Sequence, residues 1–300
     1  MMTSPERVRA AFEHKEIHPV VKAELWLGKE PFRALGIEDD LEGHIRLIDL
    51  LGMDILFLPV KAPGLGESSM DYRRFELAEM GEAAKQKDLF TGVVVDGPFQ
   101  RLVEKNGLLP FLSQLKQDET GWRAAVETEA EDVQGLIRQC LRFNTGAVAI
   151  ADDLAFQQST YINPDYYARF LFPIYTRLIT DIHSKGAYAL FHSCGNITAL
   201  IPHLISCGFD GLAACQAQCI DLMTLKAAYG KNLCFLAGID ADLLDAESLT
   251  EARKKEFCET VGTLSKGGGF MLCSSCGLYS SDSHKRLHEL YAIADKWLSK

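Results

Sequence analysis

No stretch of this 300-residue chain approaches the ~20 consecutive apolar residues of a membrane-spanning helix. The opening Met1-Met2-Thr3-Ser4-Pro5-Glu6-Arg7 lacks the apolar core of a secretory signal. Positive charge is also scarce. Thirty-one Lys and Arg face 41 Asp and Glu, a net charge of −10, which excludes the basic face a general nucleic-acid binder needs. The nine cysteines, at 140, 194, 207, 215, 219, 234, 258, 273 and 276, are odd in number and scattered, so they make no disulfide framework. Thiols of this kind fit the cytoplasm, where the protein is expected, away from membranes and nucleic acid. No Gly-x-Gly-x-x-Gly follows the first predicted strand and no phosphate-loop lysine is present, which weakens a nucleotide-binding reading. Low-complexity segments and Pro/Gly linkers are missing too, so residues 1–300 are read as one domain.

Apolar material is plentiful, at 47% of residues. It falls into eight short runs: 20–25, 54–58, 92–95, 147–151, 186–192, 209–214, 233–237 and 269–272. Helical patterns separate most of them, at 40–51, 119–143, 163–185, 196–207, 220–229 and 246–266, and a last one closes the chain at 281–298. A further short helix opens at Ser4-Pro5-Glu6, with Ser4 as the expected cap. Strands alternating with helices imply right-handed βαβ units and a parallel sheet. Eight units in this length predict a single (β/α)8 TIM barrel with a short N-terminal helical extension. A doubly wound open sheet is the alternative.

Barrel enzymes carry their sites at the C-terminal ends of the strands. Those ends read Glu24, Pro59, Asp96, Asp152-Asp153, His192 with Cys194, Gln216, Asp240, and Cys273 with Cys276. His192 and Cys194 lie two apart, so on an extended chain they point to one side. Imidazole and thiolate are ligands that zinc favours. The end of the eighth strand faces the fifth across a barrel mouth, which lets Cys276 join them. Two Cys and one His leave a fourth position open, the pattern of a catalytic zinc. Cys273 and Cys276 could instead supply both sulfurs, act as a redox pair, or serve only as core thiols. Cys276 is favoured because it precedes Gly277 in the loop after the strand. Asp96, Asp152 and Asp153 are the candidate catalytic carboxylates. Glu24, Gln216 and Asp240 are candidate substrate-binding groups, with capping of a following helix the plainer role for Asp240. The Gly/Ser/Pro-rich segment 62–74 is a candidate docking rim or an ordinary solvated loop.

Taken together, Ala151-Asp152-Asp153-Leu154, the helix from Asn163-Pro164, Phe191-His192-Ser193-Cys194-Gly195-Asn196, Gly208-Phe209-Asp210-Gly211, Gly238-Ile239-Asp240 and Ser275-Cys276-Gly277 resemble the uroporphyrinogen decarboxylase superfamily. The resemblance is strongest over 145–280 and is closest to the zinc-dependent corrinoid methyltransferase branch. It implies zinc on His192, Cys194 and Cys276. It also implies a cobalamin carried by a partner corrinoid protein, because the histidines fit no Asp-x-His-x-x-Gly pattern. The implied reaction moves a methyl group between that cobalt and a small methylated substrate, such as an aryl methyl ether or methylamine, or a thiol acceptor. Lewis-acid zinc would hold the thiol as thiolate or polarise the methylated compound. The decarboxylases themselves carry an Arg-Gln-Ala-Gly-Arg motif near the N-terminus, and the matching region 15–28 has no arginine. A metal-free decarboxylase is the alternative activity. Homodimerisation is left open.

Overall fold

The computed structural model describes residues 2–62, 71–86 and 88–299. Most of the segment expected to form the docking rim, 63–70, therefore lies outside the described residues. Eight parallel strands form one sheet: β1 (Val21–Lys22), β2 (Ile55–Pro59), β3 (Phe90–Asp96), β4 (Ala147–Ala151), β5 (Tyr188–His192), β6 (Gly211–Ala213), β7 (Cys234–Ile239) and β8 (Phe270–Ser274). The order β1-β8-β7-β6-β5-β4-β3-β2 curls the sheet into a nearly closed (β/α)8 barrel.

Both faces of the strands are buried, which is why they read as unbroken apolar runs. In β4, Val148 and Ile150 join the core beneath the helices. The alternate Ala147, Ala149 and Ala151 point into the barrel, against larger neighbours such as Phe57, Leu190, Leu236 and Met271. Between β1 and β2 a side chain stands in for part of the ladder. The Asp54 amide donates to Lys22 O at 2.8 Å, and Asp54 Oδ2 accepts from Lys22 N at 3.0 Å. Arg7 holds the same carboxylate at 3.0 Å.

The N-terminal helix Ser4–Phe12 is capped by Thr3 rather than Ser4, in a capping box with Glu6. It seals the barrel floor. Phe12 stacks on Tyr188 at 4.0 Å and packs near Phe90, both at strand starts. The pattern expected over 163–185 is two helices, Pro164–Phe170 and Phe172–His183, divided at Leu171 just before Pro173. Helices Lys29–Leu35, Leu77–Ala83, Pro98–Asn106, Leu108–Gln117 and Ala241–Leu244 add to those read from periodicity. Among the described residues no helix is long and apolar enough to cross a membrane.

Candidate active site

A pocket of about 320 Å³ opens at the C-terminal mouth of the barrel. Its wall includes Trp26, Tyr72, Asp96, Glu104, Asp153, His192, Cys194, Gln216, Cys276 and Tyr279. Strand register explains how the donors meet. Ala151 of β4 pairs with His192 of β5, so the two residues beyond each strand, Asp153 and Cys194, emerge side by side. Ligand atoms of Asp153, His192 and Cys194 all lie within 4.8 Å of one another. Cys194 Sγ is 3.8 Å and Asp153 Oδ1 3.9 Å from His192 Nε2. A tetrahedral zinc with ordinary Zn–S and Zn–N bonds would separate sulfur and nitrogen by about 3.6 Å.

The surrounding bonds orient these groups. His192 Nδ1 donates to the carbonyl of Ala213 at 2.9 Å, which fixes the tautomer and leaves the Nε2 lone pair facing Cys194 and Asp153. Trp26 meets the imidazole edge-on, with ring centroids 4.6 Å apart. The Cys194 amide donates to Asp153 Oδ1 at 2.7 Å, and the Gly195 amide donates to Gln216 Oε1 at 2.9 Å. Gly195 sits at φ +80°, and a Cβ there would strike Ala155 and Phe156 backbone atoms at 2.6–2.7 Å. The turn after Cys194 thus needs glycine.

Burial pushes the His192 imidazole below its usual range, with Asp153 opposing. Burial, then the neighbouring Asp153 charge, pushes the Cys194 thiol up to about 12. Burial, then Glu24, raises Cys276 to about 12. The half-buried Cys194 thiol and the buried His192 imidazole beside the Asp153 carboxylate form a donor set that a divalent cation would satisfy, since a coordinating thiol is deprotonated outright. Cys276 lines the same pocket but is not among the donor atoms that lie within 4.8 Å of one another. The residues present fit zinc.

The expected site residues divide. Asp96, Asp153, His192, Cys194, Gln216 and Cys276 line the pocket; Asp152, Glu24 and Asp240 do not. Asp152 is fully buried and turns to the helix Pro98–Asn106. It accepts from the Phe99 and Gln100 amides and from the Tyr175 hydroxyl at 2.7 Å. Burial pushes its carboxyl up to about 7, against those hydrogen bonds. Its carboxyl lies where a Cβ on Gly97 would be, 2.3 Å away, so Gly97 makes room for it. Glu24 is buried beneath the rim, against Ser274 and Tyr291. Asp240 accepts from the Ala217 amide at 3.2 Å and lines a neighbouring cleft with Asp242 and Arg253. Cys273 lies fully buried in β8, whereas Cys276 is partly exposed at the pocket wall.

Trp26, Tyr72, Glu104 and Tyr279 were not legible as site residues. No spacing marked them: Trp26 lies two past Glu24, which itself turns away from the pocket. Arg74 joins the wall from behind, bonded to Asp96 at 2.9 Å and Glu104 at 3.1 Å. Burial raises Asp96 to about 6 in spite of that guanidinium.

A parallel barrel with a buried His and half-buried Cys and Asp donors converging at its C-terminal mouth defines a (β/α)8 protein with a metal-competent centre. The sequence model of uroporphyrinogen decarboxylase matches residues 82–297, and the chain belongs to that family. No curated protein sequence matches the chain significantly. A methyltransferase from Methanosarcina mazei shares the fold with a TM-score of 0.79 at 14% identity, covering 99% of this chain and 100% of that one. A sugar phosphate isomerase/epimerase from Parabacteroides distasonis superposes with a TM-score of 0.53 at 10% identity, over 93% and 96% of the two chains. D-Psicose 3-epimerase from Clostridium cellulolyticum gives 0.52 at 10% identity, over 87% and 92%.

Proposed function

We propose that the protein is a zinc-dependent methyltransferase that moves a methyl group between a small methylated substrate or thiol acceptor and the cobalt of a corrinoid protein. The observation that carries this reading is the gathering of His192, Cys194 and Asp153 in a pocket that also presents Cys276. His192 Nε2, Cys194 Sγ and Cys276 Sγ would hold the metal, with Asp153 within reach as a further donor. Bound zinc would supply Lewis acidity, lowering the proton affinity of a thiol or withdrawing electron density from a methylated heteroatom. Asp153 would take the proton that a thiol acceptor gives up. Gln216 keeps the Cys194–Gly195 turn in place. Trp26 and Tyr279 exclude water and give an apolar methyl group a surface to rest on.

The wall also argues against the decarboxylase alternative. Its carboxylates are Asp96, Glu104 and Asp153, and no lysine or arginine is among the described lining residues. Arg74 behind them is engaged by two of those carboxylates. A substrate carrying many carboxylates would meet like charge. Support for methyl transfer also comes from the fold shared with the Methanosarcina mazei methyltransferase. The reading is tested by loading the purified protein with zinc and following cobalamin methylation across aryl methyl ethers, methylamines and thiols. Turnover that needs zinc supports it. Decarboxylation of a porphyrinogen by metal-stripped protein would replace it.

A further inference from the structure

Glu24 is an expensive residue in its position. Its carboxylate is buried at the inner edge of the rim, and burial outweighs its hydrogen bonds, pushing it up to about 7. Apolar packing would serve stability there better than a buried acid. A buried acid that costs stability marks a place where something other than folding is served.

Its bonds lead in one direction. Glu24 Oε1 accepts from the Ser274 amide at 2.9 Å and from the Tyr291 hydroxyl at 3.3 Å. Glu24 Oε2 accepts from the Ser274 hydroxyl. Ser274 Oγ in turn accepts from the Gly277 amide at 2.9 Å, closing the turn Ser274-Ser275-Cys276-Gly277 over Cys276. The turn has little slack elsewhere. The Ser275 amide donates to Ile239 O at 2.8 Å, and the Leu278 amide donates to Trp26 O at 3.1 Å. Gly277 sits at φ +80°, with a would-be Cβ 2.7 Å from Trp26 O. Cys276 is therefore presented to the pocket by a turn whose internal bond is made through Ser274 Oγ, and that hydroxyl is aimed by Glu24.

Resting on the proposed role of Cys276 as a zinc ligand, we propose that Glu24, acting through Ser274, is the positioning residue that holds the Cys276 thiol on the metal. Glu24 is not among the residues that line the pocket. Its effect is on where one sulfur points.

The test uses the full chain loaded with zinc or with cobalt(II), whose near-ultraviolet thiolate charge-transfer absorption grows with the number of sulfurs bound. Glu24→Ala and Ser274→Ala should each weaken zinc binding roughly 10–100-fold, the usual range for outer-shell partners. Both should lose the absorption of one thiolate, and Glu24→Gln, which keeps an acceptor for the Ser274 amide, should fall between them and the native protein. In a Cys276→Ser background, Glu24→Ala should cost no further metal affinity, because the group it positions is gone. Should Glu24→Ala not fold, Ser274→Ala, which removes only a hydroxyl, carries the test. Full two-thiolate absorption and native zinc affinity in Ser274→Ala and Glu24→Gln, with one thiolate lost in Cys276→Ser, would overturn the inference and leave the ligand assignment standing. Undiminished absorption in Cys276→Ser itself would overturn both.

Discussion

The rims of β4 and β8 each carry a pair of candidate residues, and each pair splits. At the end of β4, Asp152 and Asp153 are adjacent and point to opposite sides. Asp152 holds the start of the helix Pro98–Asn106, while Asp153 enters the pocket. At the end of β8, Cys273 stays in the barrel interior and Cys276 reaches the pocket wall through a tight turn. The β4 split continues the alternation of a strand that ends at Ala151. The β8 split depends on a turn that a buried acid from β1 helps to shape. One side chain is thus aimed by regular structure, and the other by a specific hydrogen-bond chain.

That contrast predicts a graded response to substitution. His192→Ala and Cys194→Ser should have the largest effect, lowering zinc affinity by about 10²-fold or more, beyond the range for outer-shell partners, as read by competition with a chelator. Cys276→Ser should also strip most of the metal. Cys273→Ser should leave it in place and show only as a lower melting temperature. A Cys273 variant that loses the metal would exchange the roles of the two sulfurs.

At β4 the expected effects fall on different observables. Asp153→Asn should lower turnover roughly 10²-fold with the fold intact, as removal of a proton-transfer group does. Asp152→Asn should cost about 1–3 kcal/mol of stability, since an amide cannot accept all three of its hydrogen bonds. The folded Asp152 variant should retain turnover per zinc-loaded chain. Reversed outcomes would show that the pocket wall at β4 has been assigned to the wrong carboxylate.

The smallest effect is on pH dependence. Asp152 and Glu24 both have folded-state values raised by burial to about 7, from ordinary values of 3.8 and 4.5. Between roughly pH 4 and pH 7 the folded protein then holds more protons than the unfolded chain. By linkage, these groups contribute stability that is fully present below that window and is lost as the pH rises through it. Denaturant melts should show this decline, and Glu24→Gln should flatten part of it. A stability that rises across the same window in the native protein, and not in the variant, would mean that hydrogen bonds outweigh burial.

Much of the barrel was legible because period-two burial on both faces leaves continuous apolar runs. The boundaries were less so. The run 20–25 contains only two strand residues, Val21 and Lys22, because on the side of β2 Lys22 is bonded by the Asp54 amide and side chain instead of a neighbouring strand. Helices Pro98–Asn106 and Leu108–Gln117 escaped because Gly97, Pro98, Gly107 and Pro110 read as turn punctuation, although Gly-Pro also opens a helix. At the site, His192 with Cys194 could be read from spacing on a strand. The diversion of Asp152 could not, because its partners, the Phe99 and Gln100 amides and Tyr175, are distant in sequence. The aromatic wall of Tyr72 and Tyr279 comes from loops, where periodicity carries no information.

The central claim is that the barrel mouth is a zinc centre held by His192, Cys194 and Cys276. Metal analysis of protein purified without chelator and dialysed against zinc tests it most directly. The account predicts about one zinc per chain in the native protein and little in Cys276→Ser. Native protein that holds no stoichiometric zinc after supplementation would contradict it.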